Sequence, residues 1–215
     1  MGSDPGRRIA VLISGRGSNL QAIIDAVAGG RLRARIAVVI SNRAAAYGLE
    51  RARAAGIETL TISHREYPTR DGFEEVLVRE LRARDVSLVC LAGFMRLLGR
   101  TFLDAFPNGI LNIHPSLLPS FPGVDAQRQA WEHGAKVAGA TVHFVTGELD
   151  GGPIVRQSTV AVHDDDTAET LAARILDEEH RIYPEAIAIV LDGGWTIDGR
   201  RFKAPAQAGA GPGHT

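Results

Sequence analysis

Leu111-Asn112-Ile113-His114-Pro115-Ser116-Leu117-Leu118-Pro119 sets an amide and an imidazole two residues apart at the end of an apolar run. If Ile110–His114 is a strand, both side chains point to one face. They then lie at its C-terminal end, where open α/β sheets bind ligands. Two polar groups buried side by side are costly unless partners satisfy them. His114 has the chemistry to donate to a developing oxyanion, with the Asn112 amide as a second donor. No Gly-x-Ser-x-Gly elbow, Ser or Cys stands beside this histidine, so the chemistry expected is direct attack by a substrate nucleophile rather than an acyl-enzyme. Asp150 lies in the Gly-rich connection Glu148-Leu149-Asp150-Gly151-Gly152-Pro153 and offers a third polar group. A carboxylate beside a histidine favours the imidazolium, although spacing alone does not fix which Asp partners His114. Two satisfied structural polars at a sheet edge remain the competing reading.

A second constellation, Ser14-Gly15-Arg16-Gly17-Ser18-Asn19, falls between the first apolar run and the first helical pattern. Backbone N–H groups at a helix N-terminus make an anion site there. It lacks the Gly-Lys-Ser/Thr of a nucleoside-triphosphate loop. Leu20 takes the place of the third dinucleotide glycine, and Ser41-Asn42-Arg43 ends the second strand without a ribose-binding acid. What remains suits one terminal phosphate, with Gly17, Ser18 and Asn19 as donors. A helix capped by Ser18 or Asn19, with no ligand, is the plainer alternative.

The elements that must position these groups follow from periodicity. Strand-like runs are 9–14, 36–41, 58–62, 86–92 and 110–114, with 139–145 and 154–162 later. Helical patterns cover 19–28, 47–55 and 73–84, where Phe73, Val76, Leu77 and Leu81 share a face, then 126–133 and about 167–191. Runs apolar on both faces and separated by helices imply a parallel sheet covered on both sides. The expected fold is α/β: a single doubly wound, Rossmann-like, mostly parallel sheet of about seven strands. One domain over residues 1–203 and a disordered tail over 204–215 are expected. Pro115, Pro119 and Pro122 make 115–122 an ordered loop, with Leu118-Pro119 the bond to inspect for a cis peptide.

Composition narrows the function classes. Across 215 residues, 24 Lys and Arg balance 25 Asp and Glu, which gives no reason to expect a nucleic-acid or membrane-surface partner. No apolar run is long enough for a signal or membrane span, so cytoplasm is the default. Cys90, the single cysteine, lies in an apolar run and reads as a buried structural thiol. Asp164-Asp165-Asp166 reads as the start of a helix, with Asp166-Thr167-Ala168-Glu169 resembling a capping box, rather than as a metal site. His64, His163 and His180 have no metal-ligand spacing, and Trp131 and Trp195 read as packing residues.

Five segments together resemble the phosphoribosylglycinamide formyltransferase family: SGRGSNLQAI at 14–23, SNRAAAYGLERA at 41–52, LAGFMRLL at 91–98, LNIHPSLLP at 111–119 and VHFVTGELDGGPI at 142–154. The likeness runs over about residues 8 to 200. It implies formyl transfer from 10-formyltetrahydrofolate, as co-substrate and without a metal, to the amine of 5'-phosphoribosylglycinamide in purine synthesis. By resemblance, Asn112, His114 and Asp150 are catalytic. Gly17, Ser18, Asn19 and Glu179 hold the ribotide. Arg70, Met95, Arg96, Leu97 and Leu98, with Thr146, Gly147, Glu148 and Leu149, surround the folate. Small molecules are the expected partners, and the chain is expected to be a monomer or homodimer. Two departures stand out: Val124-Asp125-Ala126-Gln127 where the family often carries histidines, and Ser120 where a basic residue is common. Methionyl-tRNA formyltransferase and formyltetrahydrofolate hydrolase share the chemistry. The first would bring a basic surface and an RNA-gripping domain, the second an N-terminal regulatory domain, and neither is expected here. A non-catalytic phosphate-binding module is the rival from another class.

Overall fold

The computed structural model describes residues 7–205. Five strands, β1 (Arg8–Ile13), β2 (Arg35–Ser41), β3 (Thr59–Thr61), β4 (Leu88–Leu91) and β5 (Ile110–His114), pair in parallel. Helices α1 (Ser18–Ala28), α2 (Tyr47–Ala54), α3 (Arg70–Arg82) and α4 (Arg100–Leu103) connect them. After α5 (Ala126–Glu132), β6 (Val137–Phe144) runs antiparallel to β5, and β7 (Ile154–Ala161) antiparallel to β6. The long helix α6 (Ala168–Asp192) then leads to β8 (Thr196–Asp198) and β9 (Arg201–Lys203). The sheet order is β3-β2-β1-β4-β5-β6-β7-β9-β8.

The expected class is therefore the one found, but the sheet has nine strands among the described residues instead of about seven. The extra pair is the β8–β9 hairpin, whose outer residues are exposed and whose segments are three residues each. Its sequence signal was present: Asp198-Gly199 between alternating residues, with Gly199 at φ 59°. The described part of the expected disordered tail, Ala204 and Pro205, follows β9 directly, and residues 206–215 lie outside the described residues.

Alternation along each strand splits the interior in two. Ile9, Val11 and Ile13 of β1 join α1 and α6 through Leu20, Ile23, Ile182 and Tyr183. Ala10 and Leu12 join α3 and α4 through Phe73, Leu77 and Phe102. Both faces are dry, which is why the strands read as unbroken apolar runs. Cys90 belongs to the first core, and burial pushes its thiol far up, away from the nucleophilic thiolate.

In α6, Leu171, Ile175, Glu179, Ile182 and Ala186 are buried and form one stripe on the helix. Thr167 is its N-cap, paired with Thr170 in a capping box, one residue later than the Asp166–Glu169 box expected. Asp166 instead holds Arg174 through two 2.8 Å contacts and accepts from the His163 N–H. The shift follows from strength: a bidentate Arg–carboxylate pair outcompetes a neutral cap for the same side chain. Tyr183, fully buried, ties α6 to the sheet, its hydroxyl 2.9 Å from the Leu91 carbonyl and 3.1 Å from that of Leu111. Those carbonyls belong to the two strands that carry the site, so Tyr183→Phe should lower stability by about 1–2 kcal/mol. Urea unfolding checks this, and an unchanged midpoint would show that the tie is energetically idle.

Candidate active site

The strand order reverses between β1 and β4, which opens a crevice beyond their C-terminal ends. Two loops meet there. The Ser14 N–H donates to the Gly93 carbonyl at 3.1 Å, and the Met95 N–H donates to Ser14 Oγ at 2.8 Å. Ser14 in turn donates to Asn42 Oδ1 at 2.6 Å. The polar end of β2, unsuited to a ribose, thus braces the glycine loop against the Met95 segment. From the other side, buried Glu74 of α3 accepts from the Gly99 and Phe102 N–H groups at 2.5 and 3.2 Å. This caps α4 and anchors the end of the 93–99 segment. Neither Ser14, Asn42 nor Glu74 was singled out from the sequence as a site residue. A charged residue at a core position of the α3 pattern was the available signal for Glu74.

At the next strand the structure brings Asn112, His114 and Asp150 together. His114 Nδ1 lies 3.5 Å from Asp150 Oδ2, and its Nε2 lies 2.9 Å from the Phe121 carbonyl. Both ring nitrogens thus face oxygen atoms. Asp150 reaches this position through a backbone at φ 50°, and the Gly123 N–H donates to its Oδ2 at 2.8 Å. Gly152 permits the bend: a Cβ there would sit 1.8 Å from the Phe144 carbonyl oxygen.

A fourth member, His143, was missed. The β5–β6 register sets it opposite Asn112, so its proximity depends on an antiparallel pairing that spacing does not announce. The only signal was a polar residue inside the apolar run of β6. Its Nδ1 donates to the Phe144 carbonyl at 2.9 Å, which leaves Nε2 as the acceptor for Asn112 Nδ2 at 3.2 Å. Burial lowers the His143 pKa, and the Asp150 carboxylate, with Oδ1 3.7 Å from Nε2, opposes this more weakly. His143 is thus the neutral ring that fixes which way the Asn112 amide points. The Pro-rich loop is held by Thr141, which donates to the Ser116 carbonyl at 2.7 Å and accepts from the Leu118 N–H at 3.1 Å. Leu118–Pro119 is cis.

The glycine loop makes a separate subsite. Gly17 is the N-cap of α1 at φ 70°, and no side chain caps the helix, contrary to the alternative of a Ser18 or Asn19 cap. The first-turn N–H groups are therefore left for a ligand. Asn19 donates to Glu179 Oε2 at 2.6 Å, while its own buried Oδ1 has no partner among the described residues. Burial raises the Glu179 pKa, the Asn19 hydrogen bond opposing it. A carboxylate set in the apolar stripe of α6 and an orphaned amide oxygen both await a polar ligand.

The remaining predicted residues line the rim. Met95 (65% exposed), Leu97 (66%) and Leu149 (57%) present apolar surface to solvent, with Arg96, Thr146, Gly147 and Glu148 exposed and Leu98 half-buried. Arg70 opens α3, its Nε 3.9 Å from Glu74. In the departing segment, Val124 is exposed, and Asp125 is the N-cap of α5 at φ 59° with an ion pair to Arg128. No helix among the described residues is long and apolar enough to cross a membrane, and no three His, Cys, Asp or Glu side chains among them gather in a metal-holding group.

The family model described as formyl transferase matches residues 7–187. The phosphoribosylglycinamide formyltransferase of Escherichia coli (strain K12) is 46% identical over 192 residues, covering 89% of this chain and 88% of that one. The trifunctional purine biosynthetic protein adenosine-3 of Drosophila pseudoobscura pseudoobscura is also 46% identical, over 89% of this chain, which spans only 14% of that protein. The crystal structure of glycinamide ribonucleotide transformylase 1 from Symbiobacterium toebii superposes with a TM-score of 0.91 at 58% identity, covering 94% of this chain and 95% of that one. The match runs through both loops and the strand that bears Asn112 and His114, so the chain belongs to the formyl transferase family.

Proposed function

We propose that this chain transfers the formyl group of 10-formyltetrahydrofolate to the amine of 5'-phosphoribosylglycinamide, as a phosphoribosylglycinamide formyltransferase of purine synthesis. The observation that carries the reading is the cluster of Asn112, His114 and Asp150 beside a helix N-terminus that no side chain caps. The folate lies against Met95–Leu98 and Thr146–Leu149, with Arg70 toward its anionic tail. Apolar walls with backbone donors and acceptors suit a flat heterocycle. The ribotide phosphate takes the Gly17–Asn19 N–H groups, and Glu179 and Asn19 grip the rest of the ribotide.

The acceptor amine attacks the formyl carbon, and the carbonyl π electrons move to oxygen. His114 and the Asn112 amide donate to that oxyanion. As the intermediate collapses, the bond to the folate nitrogen breaks, that nitrogen takes a proton, and the former amine loses one. Asp150 keeps His114 cationic and receives the amine proton, directly or through water. The one-domain range 1–203, a cytoplasmic setting and a monomer or homodimer complete the proposal. Small-molecule partners, and neither nucleic acid nor membrane, belong to it as well.

The direct test is absorbance loss of a 10-formylfolate analogue with and without the ribotide. Consumption that needs no amine acceptor would instead favour a hydrolase. In the same assay His114→Ala should lower kcat by about 10²–10³-fold, the cost of losing one oxyanion donor, with ribotide affinity by calorimetry little changed. Normal turnover would sink the mechanism.

His143 supplies a pH prediction. Its folded pKa lies below the ordinary 6.5, so its stabilising effect is present above that value and is lost as pH falls through the lowered one. His143→Gln keeps an acceptor for Asn112 but cannot titrate. The loss of unfolding free energy between about pH 7 and about pH 5 should be smaller in this variant than in wild type. Equal losses would show that His143 is not the neutral acceptor.

A further inference from the structure

We propose that Arg51 of α2 is the cation of the phosphate subsite, so that the selectivity for a phosphorylated acceptor depends on a neighbouring βα unit. This rests on the proposed ribotide reading. The glycine loop itself carries no lysine, and the two lysines of the chain, Lys136 and Lys203, sit elsewhere in ion pairs with Asp164 and Asp198. Backbone N–H groups orient a phosphate, but a dianion in a crevice also calls for a full positive charge.

Arg51 is placed to supply it. Its Nε donates to the Arg16 carbonyl of the loop at 3.0 Å, and its Nη1 donates to Gln21 Oε1 of α1 at 3.2 Å. The guanidinium lies 5.0 Å from the centroid of the Tyr47 ring, so its plane is held from a third direction. It lines a cleft of ≈ 470 Å³ together with Ser18, Gln21, His180 and the carboxylates Asp25 and Asp177, neither of which forms an ion pair with it. Unlike Arg53, Arg84, Arg174 and Arg181, it has no carboxylate within ion-pair range among the described residues, so its charge is not neutralised.

The approach of α2 is built in. Gly48 N–H donates to the Gly15 carbonyl at 3.0 Å, and a Cβ on Gly17 would lie 2.7 Å from the Gly48 Cα. Only paired glycines let the first turn of α2, and Arg51 one turn on, come this close. The other cations of the cleft fit less well. Arg31 lies beyond the far end of α1, and Arg181 is paired with Glu178 and Glu185. Burial, ahead of the nearby Arg51 charge, lowers the His180 pKa, which makes it a poorer cation than Arg51, and its buried Nε2 has no partner among the described residues. Arg16 is exposed and makes no side-chain hydrogen bond or ion pair among the described residues, so it must be ordered at full entropic cost.

The test compares the ribotide with its dephosphorylated riboside in the full chain. Arg51→Gln should raise the ribotide KM by about tenfold to a hundredfold, the range of a lost charge-assisted contact, with a far smaller change in kcat. The folate KM and the kcat/KM for the riboside should stay near wild type, and Arg51→Lys should recover part of the loss. An equal loss on ribotide and riboside would show a loop brace only and overturn the assignment. So would a loss seen in Arg16→Gln and absent in Arg51→Gln. If wild type does not turn the ribotide over, the acceptor reading falls, and inorganic phosphate still decides on Arg51. A rise in Tm with phosphate that Arg51→Gln abolishes supports the subsite, whereas equal rises in both proteins, or none in either, overturn it.

Discussion

Asp150 is a carboxylate held almost out of solvent beside two imidazoles, and burying such a charge is costly unless cations and N–H donors surround it. Its partners therefore constrain everything around it. The Gly123 N–H fixes the Pro-rich loop, His114 Nδ1 lies 3.5 Å from the same carboxylate, and Gly152 gives the connection room beside the Phe144 carbonyl. The β6–β7 connection cannot shift without exposing or orphaning that charge. The catalytic strand and the loop that covers it are in this sense one electrostatic unit.

Two histidines share this carboxylate and differ in what their other nitrogens meet. His114 turns Nε2 to the Phe121 carbonyl and Nδ1 toward the carboxylate. His143 spends its proton on the Phe144 carbonyl and keeps a lone pair for Asn112. Environment, more than residue type, gives the two rings different partners. The amide of Asn112 is oriented in consequence.

The glycine loop and the Met95 segment are joined by few groups. Ser14 reaches both, bonding the Met95 backbone and Asn42 at the head of the glycine loop. Glu74 fixes the far end of the same segment. These buried polar ties hold two loops to rigid elements, so the pocket wall stays in register with the phosphate loop while its apolar side chains remain open to solvent.

Local pattern determined much of this. Unbroken apolar runs between helical repeats required a doubly covered parallel sheet, the period of two placed Asn112 and His114 on one face, and the missing Gly-Lys-Ser/Thr, Leu20 in the third-glycine place and the acid-free end of the second strand excluded the triphosphate and dinucleotide loops. The tertiary structure decided what depends on pairing across distance. The β5–β6 register put His143 opposite Asn112, and the return of the β6–β7 loop put Asp150 beside His114. The bidentate hold of Arg174 on Asp166 moved the α6 cap by one residue. The β8–β9 hairpin was overlooked because three-residue polar strands carry almost no apolar alternation, although their Asp-Gly turn was legible. For His143 and Asp150 the reason is shared: periodicity records which face a residue shows, whereas the partner it meets there is chosen by segments far away in the chain.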